Sequence, residues 1–416
     1  MITSLKMFSA LFTAVFICLV GNGLVNTLLS ARMAFEGFAT TTMGIVLSCY
    51  YMGLLVGSFV CHRLIQRIGH IRAFTAFAAA TTAGTLLYGL FLSPMVWGML
   101  RFLNGITSFG LFVVIESWLN ECSEPHSRGR VFSIYMTLTY MGIGVGQQLL
   151  NMGDIEGQKL FIIAGIVFSL CLIPVSITNG VHPNLPETKP YRFISIFRKA
   201  PLGMLGCLVA GLINSAFYAM MPVFCTAIGL SLRQLSWIMS LTVFCGLAAQ
   251  WLVGTLSDHF DRTIVLSVAA SAITALSGIL FLSGATSFDH LAVEMGLLGA
   301  LVFTVYPLSV ARAHDIFGGK DVVAVSAGLL FAYSIGASVS PLLASWVMAL
   351  LHSPFGLFAF WGFTSGTLAV VTIYLRKYEK VQLIPVEDQI SFVPMKSTSP
   401  VIMASDPRRN VSLTEQ

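Results

Sequence analysis

Stretches of about 20 to 30 residues without charge recur roughly twelve times along this 416-residue chain. About twenty apolar residues suffice to cross a bilayer core as a helix. Backbone polar groups cannot stay unpaired in lipid, so such a chain must be helical or a closed barrel. The runs are too long, and too rich in Leu, Ala, Gly and Phe, for the ~10-residue alternating strands of a barrel. Composition agrees: 10% of residues are charged, 56% are hydrophobic, and the mean hydropathy is +0.84. A soluble domain carries about 25% charge. The expected class is therefore an all-α, polytopic membrane protein, which argues against soluble enzymes and nucleic-acid binders.

The spans are expected near 6–30, 40–61, 73–93, 95–119, 131–152, 159–178, 201–227, 234–256, 264–284, 289–311, 322–350 and 354–375. The first apolar run exceeds a signal-peptide core and contains Asn22 and Asn26, so it reads as a retained helix. Net charge is only +5, but its distribution is lopsided. With twelve spans, 19 of the 23 Lys and Arg residues fall on the side of the termini and three (Arg32, Lys159 and Arg233) on the other, with Arg101 inside a span. Positive loops stay inside, so both termini are expected in the cytoplasm.

Two six-helix halves, 1–178 and 201–375, flank a proline-containing basic linker at 179–200, with a short surface helix expected near Phe193–Lys199. Residues 376–416 are polar with scattered prolines and read as a disordered cytoplasmic tail. The halves carry a repeat. HRLIQRIGHIR (62–72) follows span two, and GTLSDHFDR (254–262) follows span eight at an offset of 192 residues. Such repeats are a transporter layout, with the site at mid-membrane between them. The eight cysteines form no CxxC, so neither a disulfide framework nor a metal site is expected.

These repeats resemble the signature loop G-x-x-x-D-R-x-G-R-R of the major facilitator superfamily. Arg67, Gly69 and Arg72 fit the first copy, while Gln66 replaces the acid and His62 the first glycine; Gly254 and Asp258 fit the second, followed by Arg262. By that resemblance they hold the halves closed on the inside; topogenic charge alone would also explain Arg63 and Arg67. Span four opens MLRFLNG (99–105), similar to the superfamily's R-x-x-Q-G element, with Asn104 for Gln. Arg101, Asn104 and Ser108 lie at i, i+3 and i+7, on one helix face. Arg101 is seven residues, about 10 Å, past Pro94. A charge at that depth is a functional candidate by default, against the competing reading of an arginine snorkelling to the interface. Glu294 in span ten is a candidate partner. Glu121 and Arg128-Gly129 match an E-x6-R-G element of sugar-porter-like members. Glu116 and Glu121 are expected to bridge to basic loops as a gate, with proton carriage by Glu116 as the sharper idea.

Strings such as YYMG (50–53), VVIES (113–117), GLAAQW (246–251) and FTVYP (303–307) resemble the YcaD-type subgroup. The resemblance implies a secondary transporter of a small organic solute, working by alternating access and driven by a proton gradient, with efflux favoured. Cavity candidates are Asn26, Tyr51, Arg101, Asn104, Gln147, Asn214, Tyr218, Gln250, Tyr306 and Tyr333. Each is also explicable as a helix–helix hydrogen bond. No nucleotide motif, metal cluster or nucleophile–base pair is evident, so no enzyme activity, cofactor or nucleic-acid partner is expected. The expected setting is a monomer in a bacterial cytoplasmic membrane. Two other readings remain open: a receptor or scaffold on the same fold, and a lipid translocator.

Overall fold

The computed structural model describes residues 2–123, 127–176, 193–318, 322–378, 384–399 and 401. Twelve long helices account for most of them: α1 (Ile2–Phe35), α2 (Thr40–Ile68), α3 (His70–Leu90), α4 (Pro94–Cys122), α5 (Arg128–Gln148), α6 (Lys159–Ser176), α7 (Pro201–Ala227), α8 (Leu232–His259), α9 (Arg262–Ser283), α10 (Phe288–Phe317), α11 (Val322–Leu350) and α12 (Gly356–Tyr378). No strand occurs among the described residues. Eleven of these helices are long and apolar enough to cross a membrane. The twelfth, α5, has 21 residues, about 31 Å at 1.5 Å per residue. It falls short in hydropathy because it carries Arg128, Arg130, Thr139, Tyr140, Gln147 and Gln148. A short helix spans Phe193–Lys199, and the rest of the linker to 192 lies outside the described residues.

Local chemistry sets several boundaries. Pro94 and Pro201 sit in the first turns of α4 and α7, where a missing N–H costs nothing. Ser231 and Gln234 form a capping box at the start of α8, and Asp261 caps α9 through the Thr263 amide at 2.8 Å. Gly69 joins α2 to α3 at φ 83°, a left-handed conformation that disfavours a side chain.

The packing pattern repeats in the two halves. In α2/α4, a Cβ on Gly53 would overlap the Phe102 carbonyl, and one on Gly105 the Tyr50 carbonyl. The corresponding pair α8/α10 meets at Gly299, against the Thr242 carbonyl. In α1/α5 the close approach is at Gly23 and Gly146, and in α7/α11 at Gly211 and Gly336. Small residues let helix backbones touch where apolar side chains would gain nothing over lipid. The outer surface is apolar: Leu282 is 83% exposed, Phe363 76% and Trp251 70%. Arg101, Glu116 and Arg262 are instead buried.

The tail departs from the sequence expectation. Residues 376–378 continue α12, and Arg376 pairs with Asp261 at 3.4 Å. Segment 384–399 is not disordered: after an exposed stretch at 385–387, residues 390–399 run back between the halves, with Val393, Met395, Thr398 and Ser399 buried. Disorder was expected because composition counts charges and prolines. It is blind to main-chain groups, and those make most of this contact.

Candidate functional site

A cavity of about 100 Å³ lies where the halves meet. Its wall takes Asn22 and Asn26 from α1, Tyr50 and Tyr51 from α2, Phe109 and Phe112 from α4, Thr139 from α5, Tyr218 from α7 and Tyr333 from α11. Lys396, Ser397 and Thr398 of the tail complete it. The wall is thus aromatic and amidic, and Lys396 is its one charged residue among the described lining.

Arg101 stands just behind this wall, 2% exposed. Its Nη1 donates to Asn26 Oδ1 at 2.7 Å, and the guanidinium lies 4.4 Å from the centre of the Tyr50 ring. Asn26 Nδ2 in turn donates to Asn22 Oδ1 at 2.9 Å. The arginine therefore faces the interior and organises two wall residues. Glu294 is not its partner: that carboxylate meets His290 at 3.2 Å, one turn along the same helix.

Of the sequence candidates, Asn26, Tyr51, Tyr218 and Tyr333 line the cavity. Asn104, Gln147 and Asn214 are buried but not part of its lining. Tyr306 stacks edge-on against Tyr333 at 5.2 Å, one layer behind the wall. Gln250 has a different task. Pro307 has no N–H, so the Phe303 carbonyl lacks its helical donor. Gln250 Nε2 supplies one at 3.1 Å and also reaches Tyr140 Oη at 2.6 Å. The two strings GLAAQW and FTVYP thus meet in space.

At the end of the cavity away from the tail, polar bonds join the halves. Gln148 Nε2 donates to Ser240 Oγ at 2.7 Å and to the Ser236 carbonyl at 3.0 Å. Ser240 Oγ donates to the Gly144 carbonyl at 2.7 Å, and the Leu342 amide to Ser48 Oγ at 3.2 Å.

The opposite end, here called the basic face, carries the gating candidates. Arg67 and Arg72 are exposed beside the Gly69 turn, Glu121 is exposed, and Arg128 is half-buried. Glu116 is fully buried and accepts from Tyr135 Oη at 2.6 Å and from Ser399 Oγ. Arg262 is 1% exposed and pairs with Asp258 at 2.7 Å and with Asp315. The missed residues are Asp315 and the tail itself. The apolar run ISFVPM (390–395) inside a polar tail was the available signal. Lys396 Nζ lies 5.2 Å from the Tyr140 ring centre and 5.3 Å from that of Tyr218. Burial pulls this ammonium's pKa down to about 7.

The helix order, the repeat and this central cavity define a transporter architecture, and comparison with known proteins agrees. The chain belongs to the Major Facilitator Superfamily, whose profile matches residues 11–305 and 204–411. The MFS-type transporter YcaD of Salmonella heidelberg (strain SL476) is 30% identical over 329 residues, covering 78% of this chain and 84% of the relative. YcaD of Escherichia fergusonii is 29% identical over 328 residues, with the same shares. Among solved structures, the nucleoside transporter NupG superimposes with a TM-score of 0.76 at 11% identity, over 89% of this chain and 99% of that one. A bacterial homolog of the human lysosomal transporter Spinster, inward-facing and occupied, gives 0.71 at 13% over 92% and 98%. A D-xylose-proton symporter gives 0.68 at 13% over 93% and 99%. At such identities the solved structures share the fold. The chain is a multi-pass membrane transporter of the YcaD type and not an enzyme.

Proposed function

We propose that this protein is a twelve-span secondary transporter that carries a small organic solute by alternating access. The observation that carries this reading is the cavity walled by both halves and closed at one end by inter-half hydrogen bonds. Both termini and the basic face lie in the cytoplasm on this reading, in a bacterial inner membrane, and the unit is a monomer. The aromatic and amidic wall suits a partly apolar solute with a few hydrogen-bonding groups. Coupling is to protons, with no other cofactor. Glu116 is the first candidate carrier, since it is a buried carboxylate with hydroxyl partners. Neighbours of the same fold include proteins described as proton symporters, which supports coupling without fixing direction. Efflux is favoured by the subgroup resemblance. Arg101 holds the wall in place through Asn26 and Tyr50, and Asp258 and Arg262 act at the cytoplasmic gate.

The test begins with a thermal-shift screen of solutes on purified protein. A true ligand at 100 times its Kd stabilises by about 2.7 kcal/mol. Hits are then followed in proteoliposomes under an imposed pH gradient. Gradient-dependent movement of a stabilising solute is the expected result. Stabilising solutes that never cross, with either gradient polarity, would overturn transport in favour of a receptor.

A further inference from the structure

The docked tail makes contacts that a loosely attached segment would not. At its entry, the Ile390 amide donates to Asp315 Oδ1 at 3.0 Å, and Arg262 Nη2 donates to the Ile390 carbonyl. The Phe392 amide donates to Asp258 Oδ1 at 2.9 Å, and the Phe392 ring lies over Gly254, where any Cβ would overlap it. The second copy of the signature loop thus grips main chain. Deeper in, the Met395 carbonyl accepts from Gln250 Nε2 at 3.4 Å and from Tyr140 Oη at 3.5 Å. The Lys396 amide meets Met136 Sδ at 3.3 Å, and Ser399 Oγ closes on Glu116. Between Ile390 and Ser399, the segment therefore spans groups of the second half (α8, α9, α10) and of the first (α4, α5).

Three features make this recognition. Main-chain N–H and C=O groups are satisfied by side chains in sequence, as when an extended peptide binds a groove. Val393 and Met395 are buried, 6% and 0% exposed, and the Lys396 side chain lies between the Tyr140 and Tyr218 rings. The segment also supplies part of the cavity wall, through Lys396, Ser397 and Thr398.

We propose that segment 384–399 is an internal peptide ligand of the transport path, and that the opening on the basic face is a groove for an extended, singly basic peptide that must leave before solute can pass. The proposal rests on the transport reading only in taking the cavity as the solute's route. The docked segment bridges the halves on the face that has to close during alternation, so it holds that face apart as well as filling it. It is tethered to α12 through five residues, 379–383. Short tethers give effective concentrations on the order of millimolar. A free peptide with a Kd of about 10 μM for the empty groove would then bind the intact chain about a hundredfold more weakly.

The probe is a dye-labelled synthetic peptide with the sequence of residues 389–399, titrated by fluorescence anisotropy. Its targets are the intact protein and a chain ending at Leu383, both in detergent. The shortened chain should bind at least tenfold more tightly than the intact one. A peptide with Lys396→Glu should bind the shortened chain at least tenfold more weakly. If the shortened chain does not purify, the full chain with Phe392→Asp and Lys396→Glu, which keeps every helix, replaces it. Equal affinity for both chains, or equal binding of the Lys396→Glu peptide, overturns the proposal. Binding is read without flux. A peptide that fails to bind therefore leaves the transport reading standing, while a shortened chain that binds it but moves no solute removes only the transport reading.

Discussion

Replacing Arg101 gives the most informative perturbation of the wall. Its Nη1–Asn26 Oδ1 bond is 2.7 Å and its side chain is 2% exposed. A charged hydrogen bond of this kind contributes about 1.5–3 kcal/mol. The contact with Tyr50 at 4.4 Å adds about 0.5–2 kcal/mol. Arg101→Ala should therefore cost about 2–5 kcal/mol, and Asn26→Ala about 1.5–3 kcal/mol. The double variant should cost less than their sum, because both remove the same bond. The expected coupling is about 1.5–3 kcal/mol, from unfolding titrations with SDS in mixed micelles. Arg101→Lys should recover less than half of the loss, since lysine lacks the planar fork that serves Asn26 and the ring together. Flux at matched expression gives a second readout, in which Arg101→Ala should be inactive though inserted. Additive losses, with coupling below about 0.5 kcal/mol, or full flux in the alanine variant, would refute the organising role.

Gly53→Leu should lower thermal stability by about 1–3 kcal/mol through overpacking, or prevent folding, because it meets the Phe102 carbonyl. Gly98→Ala, whose added Cβ would lie 3.7 Å from Cys49 Sγ, is the tolerated control in the same melting assay. Asp258→Asn with Asp315→Asn should loosen the tail, seen as faster protease cleavage within 384–399, while the melting temperature of the bundle changes less. Unchanged cleavage would detach these residues from tail retention. Docking should also depend on pH. Lys396 is held at about 7 when docked, against 10.5 ordinarily, with Tyr140 and Tyr218 facing it and no carboxylate in the described cavity lining. The undocked state binds more protons between those values, so peptide affinity should rise from pH 7 toward 10 and stay flat below 7. A Lys396→Met peptide should lose that dependence, measured as Kd across pH 6 to 9.

Hydropathy made eleven spans legible because lipid leaves little choice of composition. It was weakest at α5, which spends its surface on Tyr140 and Gln148 to meet the tail and another helix. Arg101 was legible as an interior charge, but its partner was not: Asn26 lies 75 residues away, and an asparagine in a helix reads equally as packing. The role of Gln250 depends on a carbonyl freed by Pro307, a relation between two helices that no single motif carries. The tail was misread for a related reason. Its anchoring groups are the amides of Ile390 and Phe392 and the carbonyl of Met395, main-chain groups that every residue type but proline supplies in full.

The glycine contacts within each half have a mechanical consequence. In the α2/α4 pair, a carbonyl of each helix occupies the place where the partner's side chain would be. Backbone atoms cannot change rotamer, so these pairs have no soft coordinate along which to slip. The same stiffness recurs in α1/α5, α7/α11 and α8/α10. Each half is thereby a stiff lever. Between the levers, Gly44 of α2 also lies against Ser345 and the Pro341 carbonyl of α11, but the hydrogen bonds run through side chains such as Gln148, Ser240 and Ser48, which can exchange partners with water at little cost. Compliance is concentrated along one seam, and the molecule can yield there without deforming either arm.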